Sequence, residues 1–116
     1  MGKETKSKVL DACLGQSQSL VGLVDYADDS IVSKTLLDKP AGTLTLFAFA
    51  AGQKLSEHTS PYDATIQILD GTAKVTIDGE PREVGTGELI IMPAQVPHAV
   101  TAEGKFKMLL IMIRNK

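Results

Sequence analysis

Cysteine is almost missing from this chain. Cys13 is the single one in 116 residues, so neither an intrachain disulfide nor a cysteine-rich zinc site can form. That scarcity accords with a reducing compartment, and the cytoplasm is the expected location. Apolar runs of membrane-spanning length are absent, and the basic start MGKETKSKVLDACLG has no apolar stretch behind it of the kind a secretory signal needs. No membrane partner is therefore expected. A basic stripe is lacking too: the formal net charge is −2 with Lys and Arg scattered, which leaves no footprint for a phosphate backbone and excludes nucleic acid from the expected partners. Internal repeats and low-complexity segments do not occur, which removes solenoids and propellers. What is present is an ordinary globular balance, 43% hydrophobic and 22% charged, at a length that builds one core and one domain.

From Ile31 onward the chain is a series of short apolar or alternating runs: Ile31–Leu37, Thr43–Ala50, Ala64–Leu69, Ala73–Ile77, Glu88–Met92, His98–Ala102 and Phe106–Ile113. They are strand-sized, and many are rich in β-branched residues. Asp78-Gly79 follows Val75-Thr76-Ile77 and predicts a two-residue hairpin, because both central positions of that turn require positive φ. Turn signals recur at intervals of roughly ten residues, and no long amphipathic helical window appears, so the fold class is all-β and antiparallel, a sandwich or a barrel. The first 30 residues stand apart. Val9–Leu14 reads equally as a short helix or a strand, and Asp25–Ser30 reads as a polar loop. The chain thus divides into an N-terminal segment, 1–30, and a strand-rich region, 31–116.

Two stretches are informative through their spacing. Gly52-Gln53-Lys54-Leu55-Ser56-Glu57-His58-Thr59-Ser60-Pro61-Tyr62-Asp63-Ala64, continuing to Gly71, resembles the first motif of the cupin superfamily: glycine, five residues, His, one residue, His, three or four residues, Glu, six residues, glycine. Gly52, His58 and Gly71 match; Ser60 stands at the second His position and Ala64 at the Glu position. Gly87-Glu88-Leu89-Ile90-Ile91-Met92-Pro93-Ala94-Gln95-Val96-Pro97-His98 resembles the second motif: glycine, five residues, Pro, one residue, Gly, two residues, His, three residues, Asn. Gly87, Pro93 and His98 match; Gln95 replaces the glycine and Ala102 the asparagine. The resemblance covers about residues 40 to 113 and is that of a small single-domain cupin with a degenerate first motif.

The resemblance implies a single-domain, antiparallel double-sheet, jelly-roll-like barrel with a central pocket. The full motif places three imidazoles and a carboxylate on one metal ion, leaving open positions for substrate. Here two of the four ligands remain, His58 and His98, so a divalent transition metal (Fe, Mn, Ni or Zn) is expected at reduced affinity if at all. Neighbouring polar groups do not restore the set by alternation: Asp63 and Glu57 are each one residue from an inward position, and Gln67 falls on the face opposite Ala64. Met92, Met108 and Met112 suit a cavity wall or a core equally well. Pro61 and Tyr62 read as turn residues and Cys13 as an inert thiol.

The functional expectation is a small organic ligand in the central pocket, with His58, Ser60 and His98 as its polar points. The alternative is a metal-dependent oxygenase or isomerase using His58 and His98 as the remaining ligands. A purely structural or partner-binding barrel is the third reading. Cupins of this size commonly pair, which implies a homodimer, and the run Met108–Ile113 is apolar at both parities, so both faces of that strand need cover. A partner chain is one source of it, through an N-terminal strand exchanged between subunits.

Overall fold

The period-two burial of these runs closes two antiparallel sheets over one another. The computed structural model describes residues 8–114; residues 1–7 of the N-terminal segment and 115–116 of the strand-rich region, with anything expected of them, lie outside the described residues. The strands are β1 (Lys8–Val9), β2 (Ile31–Lys39), β3 (Gly42–Phe49), β4 (Lys54–His58), β5 (Ala64–Asp70), β6 (Thr72–Ile77), β7 (Glu80–Gly85), β8 (Leu89–Met92), β9 (His98–Thr101) and β10 (Phe106–Ile113), with short 3-10 turns at Asp11–Cys13 and Leu20–Gly22. One sheet has the order β1-β2-β3-β10-β5-β8, and the other β4-β9-β6-β7. No described helix is long and apolar enough to cross a membrane.

All seven expected runs are strands. Two further strands, β4 and β7, carry no apolar run because each is a sheet edge with most of its residues exposed. Leu55 is the only apolar residue of β4, and Pro81 lies in β7, where an edge tolerates the missing N–H. The expected hairpin joins β6 to β7 with φ of 51° at Asp78 and 82° at Gly79, and Ile77 pairs with Glu80 across it. Val9–Leu14 holds both of its alternatives: the end of β1, paired with β2 of the same chain, and then the 3-10 turn.

Between the sheets lies the main core. Ala64, Ile66 and Ile68 of β5 alternate inward, and Phe49 stacks on Phe106 with ring centroids 4.5 Å apart. A second core covers the outer face of the six-stranded sheet, where Leu36, Leu46, Ala48 and Leu109 meet Val24 and the half-buried Leu10, Leu20 and Leu23 of the N-terminal segment. This chain therefore supplies part of the second cover that β10 needs. Polar contacts pin the segment in place: Lys107 Nζ donates to the Val21 carbonyl at 2.6 Å, and the Tyr26 hydroxyl donates to Asp70 Oδ2 at 2.6 Å. The Lys105 and Lys107 ammonium groups lie 4.8 and 4.9 Å from the Tyr26 ring centroid, where the ring quadrupole attracts them. Beyond this cover the same face is bare, with Leu89, Ile91 and Ile113 exposed by 58%, 55% and 69%.

Candidate ligand pocket

His98 opens β9 and is buried on the inner face, in register with Ile77 of β6. His58 closes β4 and is exposed at its outer edge. Strict alternation from the inward Leu55 would turn Glu57 inward and His58 out. The pairing instead runs Leu55 to Val100 and then His58 to His98, with a register shift between Leu55 and His58. One residue more on β4 than on β9 is the signature of a β-bulge, and it returns His58 to the inner face. The imidazoles end up edge to face, 4.5 Å between centroids with their planes 72° apart.

The backbone fixes both rings. His58 Nδ1 is 2.7 Å from the Ser56 carbonyl oxygen, and His98 Nδ1 is 3.2 Å from that of Val96. A carbonyl oxygen only accepts, so Nδ1 carries the proton in each ring and donates it, leaving the Nε2 lone pairs free. Burial holds the His98 pKa below the ordinary histidine value; the charge of His58 adds to this, and the Val96 hydrogen bond opposes it. A neutral His98 is an acceptor, a base or a ligand, and not a cation.

Both histidines open on a cavity of about 120 Å³ between the sheets, walled by Leu55, Ser60, Ala64, Ile66, Met92, Val100, Met108, Leu110 and Met112. The structure thus brings His58, Ser60 and His98 into one pocket. The Ser60 hydroxyl accepts from the Tyr62 N–H at 3.1 Å and lies 3.9 Å from Met112 Sδ. Two contacts tie together the loop that follows His58 and the loop that precedes His98: Gln95 N–H to the Ser60 carbonyl, and Ala94 N–H to Asp63 Oδ1, each 2.8 Å. Asp63 is exposed and outside this cavity, Glu57 is exposed, and Gln67 lies on the outer face. A larger hollow of about 400 Å³ lies on the outer face of the six-stranded sheet beside Tyr62, Asp63, Ile91 and Arg114, and neither histidine reaches it.

Leu55, Ile66, Val100 and Leu110 are wall residues that motif reading passes over; alternation along β5 and β10 is the signal that finds two of them, Ile66 and Leu110. The four-ligand divalent site does not fit the donors in place. Ala64 presents a methyl group where the carboxylate would stand, and among the described residues no three His, Cys, Asp or Glu side chains come together as a metal site.

The profile of the family described as "Cupin domain" matches residues 45–114. Among solved structures, a conserved protein of unknown function from Streptococcus pyogenes is 32% identical, with 99% of each chain covered and a TM-score of 0.86. A cupin 2 conserved barrel domain protein from Leptotrichia buccalis is 43% identical over 81% of this chain and 46% of that one, with a TM-score of 0.79. A cupin superfamily protein from Desulfitobacterium hafniense DCB-2 is 28% identical over 86% and 92%, with a TM-score of 0.82. No curated protein matches the chain in sequence.

Proposed function

The chain belongs to the cupin domain family, and on that premise we propose that it binds a small, largely apolar organic molecule between its sheets, oriented by His58, Ser60 and His98. The observation that carries this reading is the pairing of two free Nε2 acceptors with an otherwise apolar wall. Such a site favours a ligand with an apolar body and an O–H or N–H donor, and disfavours an anion, whose oxygens would face lone pairs. A dry cavity of about 150 Å³ admits benzene. At about 120 Å³ this one suits a molecule of similar or smaller size, or one that extends past the exposed His58.

Mass spectrometry of small molecules released from tag-free protein tests the reading, followed by methyl NMR of Met92, Met108 and Met112 with the identified compound. Shifts at these methyls, lost in His98→Phe, support it. Binding confined to the hollow beside Tyr62 and Arg114 would sink it. The alternative, an oxygenase or isomerase working through a metal on His58 and His98, must draw its remaining ligands from substrate. Stoichiometric Fe, Mn, Ni or Zn in tag-free protein, removed by His58→Ala, would favour it over binding alone.

We also propose that the protein is a homodimer that pairs through the bare outer face of the six-stranded sheet. Leu89, Ile91 and Ile113 are exposed on that face, apolar surface that a second copy would cover. Asp63 and Arg114 flank the hollow beside Ile91 and Ile113, so a two-fold axis can set each against its opposite charge on the second copy. Light scattering coupled to size-exclusion chromatography reads the mass; a monomer at micromolar concentration removes this proposal.

A further inference from the structure

The outer hollow beside Tyr62 and Arg114 joins an apolar floor to two opposite charges. Thr65 is in register with Ile91 on one side and Ile111 on the other, and it points away from the main core because Ala64 and Ile66 point in. Ile91, Thr65 and Ile111 therefore lie side by side across three strands, about 10 Å from end to end, and Ile113 continues the floor along β10. Met112 opposite Ala64 is the last rung of the ladder between β5 and β10. The charges sit just past it, Asp63 one residue before Ala64 and Arg114 two after Met112, so both stand at one end of the floor. We propose that this hollow binds a free α-amino acid with an apolar side chain, its ammonium at Asp63, its carboxylate at Arg114 and its side chain along the isoleucines. The site is complete in one chain and rests on neither the inter-sheet ligand nor the dimer.

Each charge is anchored by the backbone and keeps part of its bonding capacity. Asp63 Oδ1 accepts from the Ala94 N–H at 2.8 Å, which leaves Oδ2. Arg114 donates its backbone N–H to the Ala41 carbonyl and Nη1 to the Lys39 carbonyl, each at 2.7 Å, which leaves Nη2 and Nε, an edge that holds a carboxylate in a forked pair. The two side chains do not pair with each other; the ion pairs among the described residues are Lys74 with Glu103 and Arg82 with Glu80. The ligand class follows from this separation. A simple carboxylate would be opposed by the charge of Asp63 and a simple amine by that of Arg114, whereas a zwitterion answers both. Its apolar body then covers isoleucine surface that is otherwise bare, Ile91 and Ile113 above all, and a hollow of about 400 Å³ is within the range of small-molecule sites.

The test is an NMR titration of the full chain, labelled at its isoleucine δ1 methyl groups, with L-leucine. Saturable shifts at Ile91, Ile111 and Ile113 are expected, with a Kd of about 1 mM or tighter. N-acetyl-L-leucine and L-leucine methyl ester each lack one charge and should bind about tenfold more weakly, as should L-leucine to Asp63→Asn and Arg114→Gln. Asparagine keeps an acceptor for the Ala94 N–H, and the two blocked ligands put the same question to the unaltered fold. The proposal is overturned if no saturable shift is reached by about 10 mM, if the blocked ligands bind as tightly as L-leucine, or if both variants do. A second copy on this face would compete for the same two charges, so binding should be as tight or tighter when the protein is diluted. Binding that weakens on dilution would overturn a site complete in one chain. The inter-sheet reading is judged from other signals, the methyls of Met92 and Met108, and shifts there in place of the isoleucines would also overturn this proposal.

Discussion

His98 is the residue on which pH acts most directly. Its folded pKa lies below the ordinary value of about 6.5 because the ring is buried. Between those two values the unfolded chain binds more protons than the folded one, so this contribution to stability is complete above about pH 6.5 and is lost as pH falls through the window toward the folded pKa. His58 is the titratable group facing it, and its electrostatic influence also disfavours the charged form of His98. Urea midpoints at pH 7.5 and 5.0 should show a larger acid loss in the parent than in His98→Gln; equal losses would refute the assignment. Gln95 carries a second residue-scale consequence. It stands where the resembled motif has glycine, and its φ is +68°, a left-handed conformation that costs an L-residue about 1–2 kcal/mol. Its N–H bond to Ser60 uses only the backbone. Gln95→Gly should therefore raise the thermal midpoint, by up to about 1 kcal/mol of stability once the glycine's entropy is counted.

Between β5 and β6 the chain turns at Gly71 with φ of +82°, and a Cβ there would stand 2.5 Å from the Lys105 carbonyl oxygen. Gly52, the other glycine of the first motif, has φ of +90° but open space around it. Gly71→Ala should destabilise by about 2–4 kcal/mol, from strain plus displacement of β10, whereas Gly52→Ala should cost about 1 kcal/mol, from strain alone. Chemical denaturation of the pair separates the two causes. The N-terminal segment makes a comparable element. Burial first, and then the Asp70 carboxylate that accepts a hydrogen bond from its hydroxyl, push the Tyr26 phenol well above its usual value. The contribution is present below about pH 10 and falls away as pH rises past that point. Tyr26→Phe keeps the ring under Lys105 and Lys107 but should lose about 1 kcal/mol near neutrality and flatten the alkaline decline. Amide exchange across Leu20–Tyr26 should quicken in the same variant.

At the scale of the whole molecule, the outer face of the six-stranded sheet is half covered by the chain's own segment and half bare. A lysine at position 91 would sit in the bare half without disturbing the inner core, since Ile91 is 55% exposed. On the proposed dimer, Ile91→Lys should shift the mass toward monomer with little change in fold by circular dichroism, because a buried unpaired charge at an interface costs several kcal/mol while an exposed one costs little. An unaltered mass would place the interface elsewhere.

Much was already legible in the residues. Period-two runs and an Asp-Gly turn were enough for an antiparallel all-β chain, because strand faces and tight turns are set by local chemistry, while the spacing of Gly52, His58, Gly71, Gly87, Pro93 and His98 carried the resemblance that implies a barrel with a two-histidine remnant. The edge strand β4 left no apolar signature, since most of its residues are exposed, and β7 was legible only as the second arm of the Asp78-Gly79 hairpin. Tertiary structure alone decided that the bulge after Leu55 turns His58 back toward His98, that Asp63 accepts a hydrogen bond from the Ala94 N–H, and that the N-terminal segment covers Leu109. Each of these depends on contacts between segments far apart in sequence. No local pattern encodes a register shift, a cavity volume or the choice of which chain covers a face.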